Sequence, residues 1–158
     1  MRRYKAKTRK VKPDVVYGNT MVTKLINRAM RDGKKSVAEK EVYRAFELIE
    51  KKTEEKPMVV FTKALENVSP TMEVRARRIG GAAYQIPVSV RGARRDSLAI
   101  RWLVQNSRLL SNSEFHTYAE KLAAEIINAS KGEGTTFKKK SDMEKMAEAN
   151  RAFSHFRW

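Results

Sequence analysis

The chain has 158 residues, with 34 Lys and Arg against 18 Asp and Glu, a formal net charge of +16 and no cysteine. That length suits one domain with a packed core, and the missing thiols exclude disulfides, thiolate metal sites and cysteine nucleophiles. No apolar run approaches the ~20 residues of a membrane span, and self-repulsion of this size opposes compaction until a polyanion neutralises it.

Residues 1–18 are expected to form a flexible, extended arm ending near Pro13 and Gly18. Its first twelve residues hold seven basic groups (Arg2, Arg3, Lys5, Lys7, Arg9, Lys10 and Lys12) and no acid. With no apolar stretch behind them they do not read as a secretory signal, and such a segment orders only against a polyanion. A first helix follows, with Val22, Leu25, Ile26, Ala29 and Met30 at helical spacing, Asn19 or Thr20 as N-cap and Gly33 as stop. Ser36 and Glu39 are spaced as a capping box for a second helix, whose inner stripe is Ala38, Val42, Ala45, Phe46 and Ile49. Pro57 suits the first turn of a third helix, with Phe61, Leu65 and Val68 inward and Pro70 ending it.

The period then shortens to two. Met72, Val74 and Ala76 alternate with Glu73, Arg75 and Arg77, and after Gly80-Gly81 the residues Tyr84, Ile86, Val88 and Val90 alternate with Gln85, Pro87 and Ser89. This predicts a hairpin arm over 72–90 turning at the glycines, with Pro87 on an edge strand. Asp96 is placed to cap a fourth helix burying Leu98, Trp102, Leu103 and Leu109, while Arg94, Arg101 and Arg108, seven apart, line one face. Ser111 and Glu114 would box a fifth helix with Phe115, Ala119, Leu122, Ile126 and Ala129 inward. Ser141 and Glu144 would box a last one after Lys138-Lys139-Lys140, opening a C-terminal extension over 141–158. The expected fold is mainly α, a single domain of about six helices with a projecting two-stranded β-hairpin.

Three segments hold the excess charge: +7 in residues 1–12, +6 in 75–101 and +3 in 138–158. The middle one is all arginine, and guanidinium forks onto phosphate and stacks on bases as an ammonium cannot. Structured nucleic acid is therefore favoured over an anionic membrane. Catalytic patterns fail. Gly33-Lys34-Lys35-Ser36 lacks the earlier glycine of a P-loop, Gly132-Glu133-Gly134 follows no strand, and His116 and His155 have no ligand-spaced companions. No metal or cofactor is expected. Trp102 reads as core, whereas Tyr84 is open between packing and base stacking, as are Phe153, Phe156 and Trp158 between packing and contact with RNA or protein. From composition alone a DNA-binding architectural protein competes, without helix-turn-helix spacing or a zinc pattern. An enzyme acting on RNA comes third.

The run from Pro70 to Val88, PTMEVRARRIGGAAYQIPV, resembles the hairpin of the seventh small-subunit ribosomal protein family, bacterial type. Asp32-Gly33-Lys34-Lys35, Arg101-Trp102-Leu103 and the stretch Lys145-Met146-Ala147-Glu148-Ala149-Asn150-Arg151-Ala152-Phe153 are similar as well, collinear from about Pro13 to Trp158. Ala83 stands where an asparagine is usual, Leu110 where a basic residue often stands, and Glu144 where a histidine is frequent. The resemblance implies a non-enzymatic constituent of the small ribosomal subunit that binds the 3′ major domain of its RNA and nucleates assembly of the head. A cytoplasmic location in the ribosome is expected, with an organelle ribosome left open. The residues expected on ribosomal RNA are Arg2, Arg3, Lys5, Lys7, Arg9, Lys10, Lys34, Lys35, Arg75, Arg77, Arg94, Arg95, Arg101 and Arg108. Those expected near exit-site tRNA and mRNA are Arg78, Gly80, Gly81, Tyr84, Lys145 and Arg151, with head proteins and the eleventh small-subunit protein as neighbours.

Overall fold

A computed structural model describes residues 10–156. Among them are α1 (Thr20–Ala29), α2 (Lys35–Thr53), α3 (Pro57–Val68), β1 (Met72–Ile79), β2 (Ala82–Ser89), α4 (Ala93–Leu109), α5 (Tyr118–Ser130) and α6 (Gly134–Ala149). A 3₁₀-helix, Arg151–Phe156, closes the set. The expected mainly helical fold with one antiparallel hairpin is what the chain forms. Helix α5 lies at the centre against α2, α3 and α4, while α1 packs on α2 and α4. The apolar stripes read from the sequence supply the core: Val22, Leu25 and Ile26 of α1, Val42, Phe46 and Ile49 of α2, Phe61 and Val68 of α3, and Leu122 and Ile126 of α5. Phe46 and Phe61 meet with ring centroids 5.5 Å apart, and Tyr17 meets Phe46 edge-on at 5.0 Å. Trp102 is buried in the same core, as expected.

Several helix starts differ from the expectation, α2 and α4 because they open without a side-chain cap and α5 and α6 because another residue caps them. Asn19 does cap α1, accepting from the Met21 N–H. Helix α2, however, begins before Ser36, after a turn in which Asp32 and Gly33 take positive φ, and Glu39 pairs with Lys35 at 3.5 Å instead of capping. Helix α4 begins at Ala93 behind Gly92, so Asp96 sits in its first turn and pairs with Lys24 at 3.3 Å. Two Ser/Thr-x-x-Glu boxes competed to open α5, and the later one formed. Thr117 Oγ1 accepts from the Glu120 N–H, and Glu120 Oε2 accepts from the N–H groups of Thr117 and His116, leaving Phe115 half-buried in the preceding loop. Helix α6 starts at Gly134, well before Ser141, because Glu125 of α5 serves as its cap. This carboxylate is 1% exposed and accepts from the Thr136 N–H at 2.7 Å and the Thr135 hydroxyl at 3.0 Å. Gly134 is required at that approach: its φ is +89°, and a Cβ would lie 3.0 Å from Asn128 Cβ. Leu109, expected inside, is 81% exposed at the end of α4.

Residues 14–18, expected as part of the extended arm, form a pinned turn. Asp14 accepts from the N–H groups of Val16 and Tyr17 and from the Tyr43 hydroxyl at 2.7 Å. Burial pushes the Asp14 carboxyl up, but these hydrogen bonds outweigh it and hold it below its ordinary value. The expected arm residues 1–9 and the terminal pair 157–158 lie outside the described residues.

The hairpin closes through Gly80 and Gly81, both at positive φ (58° and 90°), a two-residue connection whose twist suits the strands. Its register pairs Arg75 with Ile86, Arg77 with Tyr84 and Val74 with Pro87. Directly paired residues share a face, so the two apolar alternations are out of phase. Each face carries apolar residues from one strand beside charged or polar residues from the other. The ribbon does not stand free either, for α6 packs on both strands and the 3₁₀-helix on β2. Glu144, where the resembled family often has histidine, ties α6 to the ribbon by accepting from the Thr71 N–H and hydroxyl at 3.1 and 2.9 Å.

Candidate nucleic-acid interface

Of the expected RNA-binding residues, Arg2, Arg3, Lys5, Lys7 and Arg9 lie outside the described residues. Lys10, Lys34, Lys35, Arg75, Arg77, Arg94 and Arg95 are exposed, whereas Arg101 and Arg108 are half-buried. The α4 arginines are therefore not a uniformly solvent-facing row. Arg94 Nε and Nη2 donate to Glu73 Oε2 at 3.2 and 3.0 Å. Arg108 Nη2 donates to the Ala29 carbonyl at 2.7 Å, where a cation also complements the C-terminal end of α1. Arg101 has a buried Nε with no hydrogen-bond partner among the described residues.

The fold joins the strand and helix ends of the middle charged segment at one point. Glu73, 5% exposed at the base of β1, takes Arg75 of its own strand on Oε1 and Arg94 of α4 on Oε2. Burial pushes the Glu73 carboxyl up, and the hydrogen bonds from Arg94 and Arg75 more than reverse it, leaving the group below its ordinary value. A second gathering is a cleft of about 360 Å³ between the start of α2 and the α4–α5 loop, lined by Lys34, Arg108, Arg31, His116, Lys121 and Tyr118 among others. Arg31 was missed by the sequence reading because its segment is nearly neutral overall. Its signal was its place one residue before the Asp32-Gly33 turn. Lys121 is buried and spends its ammonium on the Leu110 carbonyl and Asn112. Burial pushes the Tyr118 hydroxyl above its ordinary value.

At the far end, Arg77, Arg78, Gly80 and Gly81 are exposed. Tyr84 is not a free stacking surface, because its ring lies 5.3 Å from Phe153 and 5.6 Å from Phe156. Lys145 and Arg151 are exposed on the neighbouring C-terminal elements, and Arg151 pairs with Glu148 at 3.3 Å. No group of His, Asp or Glu among the described residues could hold a metal ion, and no described helix is long and apolar enough to cross a membrane.

Residues 1–151 match the family model described as ribosomal protein S7p/S5e. The Helicobacter hepaticus small ribosomal subunit protein uS7 is 54% identical over 158 residues, covering 100% of both chains. Its counterpart from Rhodopseudomonas palustris is 54% identical over 157 residues and 99% of both chains, and that from Thermotoga maritima 52% identical over 158 residues and 100% of both. With the helical fold, the hairpin and the clustered basic residues, a match of this extent decides the matter: the chain belongs to the S7p/S5e family of ribosomal proteins.

Proposed function

We propose that this chain binds the 3′ major domain of small-subunit ribosomal RNA, nucleates the head of the subunit, and brings its hairpin and C-terminal elements near exit-site tRNA and the mRNA path. Family membership carries the coarser part: a structural, non-enzymatic, RNA-binding component of the ribosome whose partners are ribosomal RNA and other ribosomal proteins. The finer reading follows the family resemblance, and the observation that best supports an RNA-binding surface is the junction at Glu73, which pairs exposed Arg75 of β1 with exposed Arg94 of α4. Phosphates of a folded RNA supply the charge this surface lacks. Lys34, Lys35, Arg95, Arg101 and the N-terminal Arg2, Arg3, Lys5, Lys7, Arg9 and Lys10 extend the grip. Arg78, Gly80, Gly81, Tyr84, Lys145 and Arg151 belong to the opposite, hairpin-tip end, toward tRNA, mRNA and the eleventh small-subunit protein.

The test is co-sedimentation with small subunits in high salt, followed by chemical footprinting of the bound RNA. Retention with protections confined to the 3′ major domain is the expected result. Release by moderate salt, or protections scattered over other domains, would refute the assignment.

A further inference from the structure

Glu73 is an acid at the edge of the most arginine-rich stretch of the chain, and it is buried there. Each of its carboxylate oxygens is gripped by one edge of one guanidinium. Arg75 Nε lies 2.6 Å from Oε1, and Arg94 Nη2 lies 3.0 Å from Oε2. The two arginines remain 54% and 46% exposed in their side chains, while that of Glu73 is only 6% exposed. Each guanidinium thus uses its Nε–Nη2 edge inward and keeps Nη1 for another acceptor. The three groups together carry a net charge of one.

We propose that Glu73 is a positioning residue for RNA binding: it holds Arg75 and Arg94 as a paired phosphate clamp, and so strengthens binding although it subtracts a positive charge. This rests on the reading that the chain binds ribosomal RNA. Arginine side chains are long and lose much rotamer freedom when they dock. A buried carboxylate that already fixes two of them removes most of that cost from the binding step. A carboxylate that only quenched repulsion during folding would instead weaken RNA binding by its own charge. The two roles predict changes of opposite sign when the charge is removed.

The experiment measures equilibrium binding of the full chain to a folded RNA fragment of the small-subunit 3′ major domain at several salt concentrations. Glu73→Gln raises the net charge by one, as does the control Glu66→Gln at an exposed site on α3. The control is expected to bind as tightly as the unsubstituted chain or slightly more tightly. Glu73→Gln is expected to bind roughly tenfold more weakly, the scale of one or two immobilised side chains. Added to Arg75→Gln and Arg94→Gln together, it should cause no further loss, since nothing remains to position. Arg94→Lys keeps charge and ion pair but not the second edge, and is expected to lose affinity several-fold while melting near the unsubstituted temperature. That variant decides the matter should Glu73→Gln fail to fold. Binding by Glu73→Gln as tight as by Glu66→Gln, or by Arg94→Lys as tight as by the unsubstituted chain, overturns the proposal. An unsubstituted chain that ignores the fragment overturns the RNA-binding reading itself, and the clamp with it.

Discussion

At the scale of single residues, the basic surface depends on a few buried acids. Asp14 pins the turn from which the N-terminal segment departs, and Tyr43 donates to it. Depressed carboxyls such as Asp14 and Glu73 contribute stability above their unfolded pKa and lose it as pH falls through the folded one. Asp14→Asn should therefore cost about 1–3 kcal/mol at neutral pH and flatten the acid limb of denaturant melts. Tyr43 has the opposite sign. Burial first, and then the hydrogen bond to Asp14, push its hydroxyl from 10.0 to about 12, so its contribution is complete below pH 10 and fades as pH rises through about 12. A phenolate absorbance titration should show a late-ionising tyrosine that Tyr43→Phe removes and Asp14→Asn shifts earlier. A late step that persists in Tyr43→Phe would contradict this. Arg108 and Arg95 differ in the same physical terms. Arg108→Gln gives up a bond to the α1 carboxyl end and should cost about 1 kcal/mol, whereas exposed Arg95→Gln should stay within about 0.5 kcal/mol.

At the scale of elements, the hairpin is the part whose role the packing most sharpens. Its base is fixed to α4 by Glu73 and its flank to the 3₁₀-helix by Tyr84, while the turn beyond the Arg77–Tyr84 pair is exposed. Replacing residues 78–83 by Gly-Gly closes the ribbon at that pair and keeps the aromatic contact. Binding to an isolated RNA fragment should survive. Reading-frame errors should rise in subunits carrying the shortened chain, as reporter translation would register. Loss of fragment binding with normal decoding would reverse the division of labour. The sequence showed the helices and the ribbon because apolar periods and the Gly80-Gly81 turn are local signals. It misplaced the starts of α5 and α6 because their caps were decided by competition (Thr117 against Ser111) and by a distant carboxylate, Glu125. Tyr84 could not be resolved from sequence, since its partners Phe153 and Phe156 are some seventy residues away. The Glu73 junction was hidden for the same reason: alternation put Glu73 on an outward face, and only the fold brings Arg94 to it.

At the scale of the whole molecule, a net charge of +16 held largely in three segments makes electrostatics the common term in every contact with RNA. Log affinity should fall linearly with log salt, by roughly 0.7–0.9 for each phosphate neutralised. Charge alone, however, would attract any polyanion. We propose that discrimination comes from guanidiniums fixed in space by Glu73 and from a shape that A-form and irregular RNA can match. The most direct measurement is the affinity of the full chain for a folded 3′ major domain fragment against duplex DNA of equal phosphate count, across one salt series. The RNA should be bound more tightly at every salt, with the ratio persisting as salt rises because the shared ionic term cancels from it. Equal affinities that decline together would mean a non-specific polycation, and would contradict the proposed role.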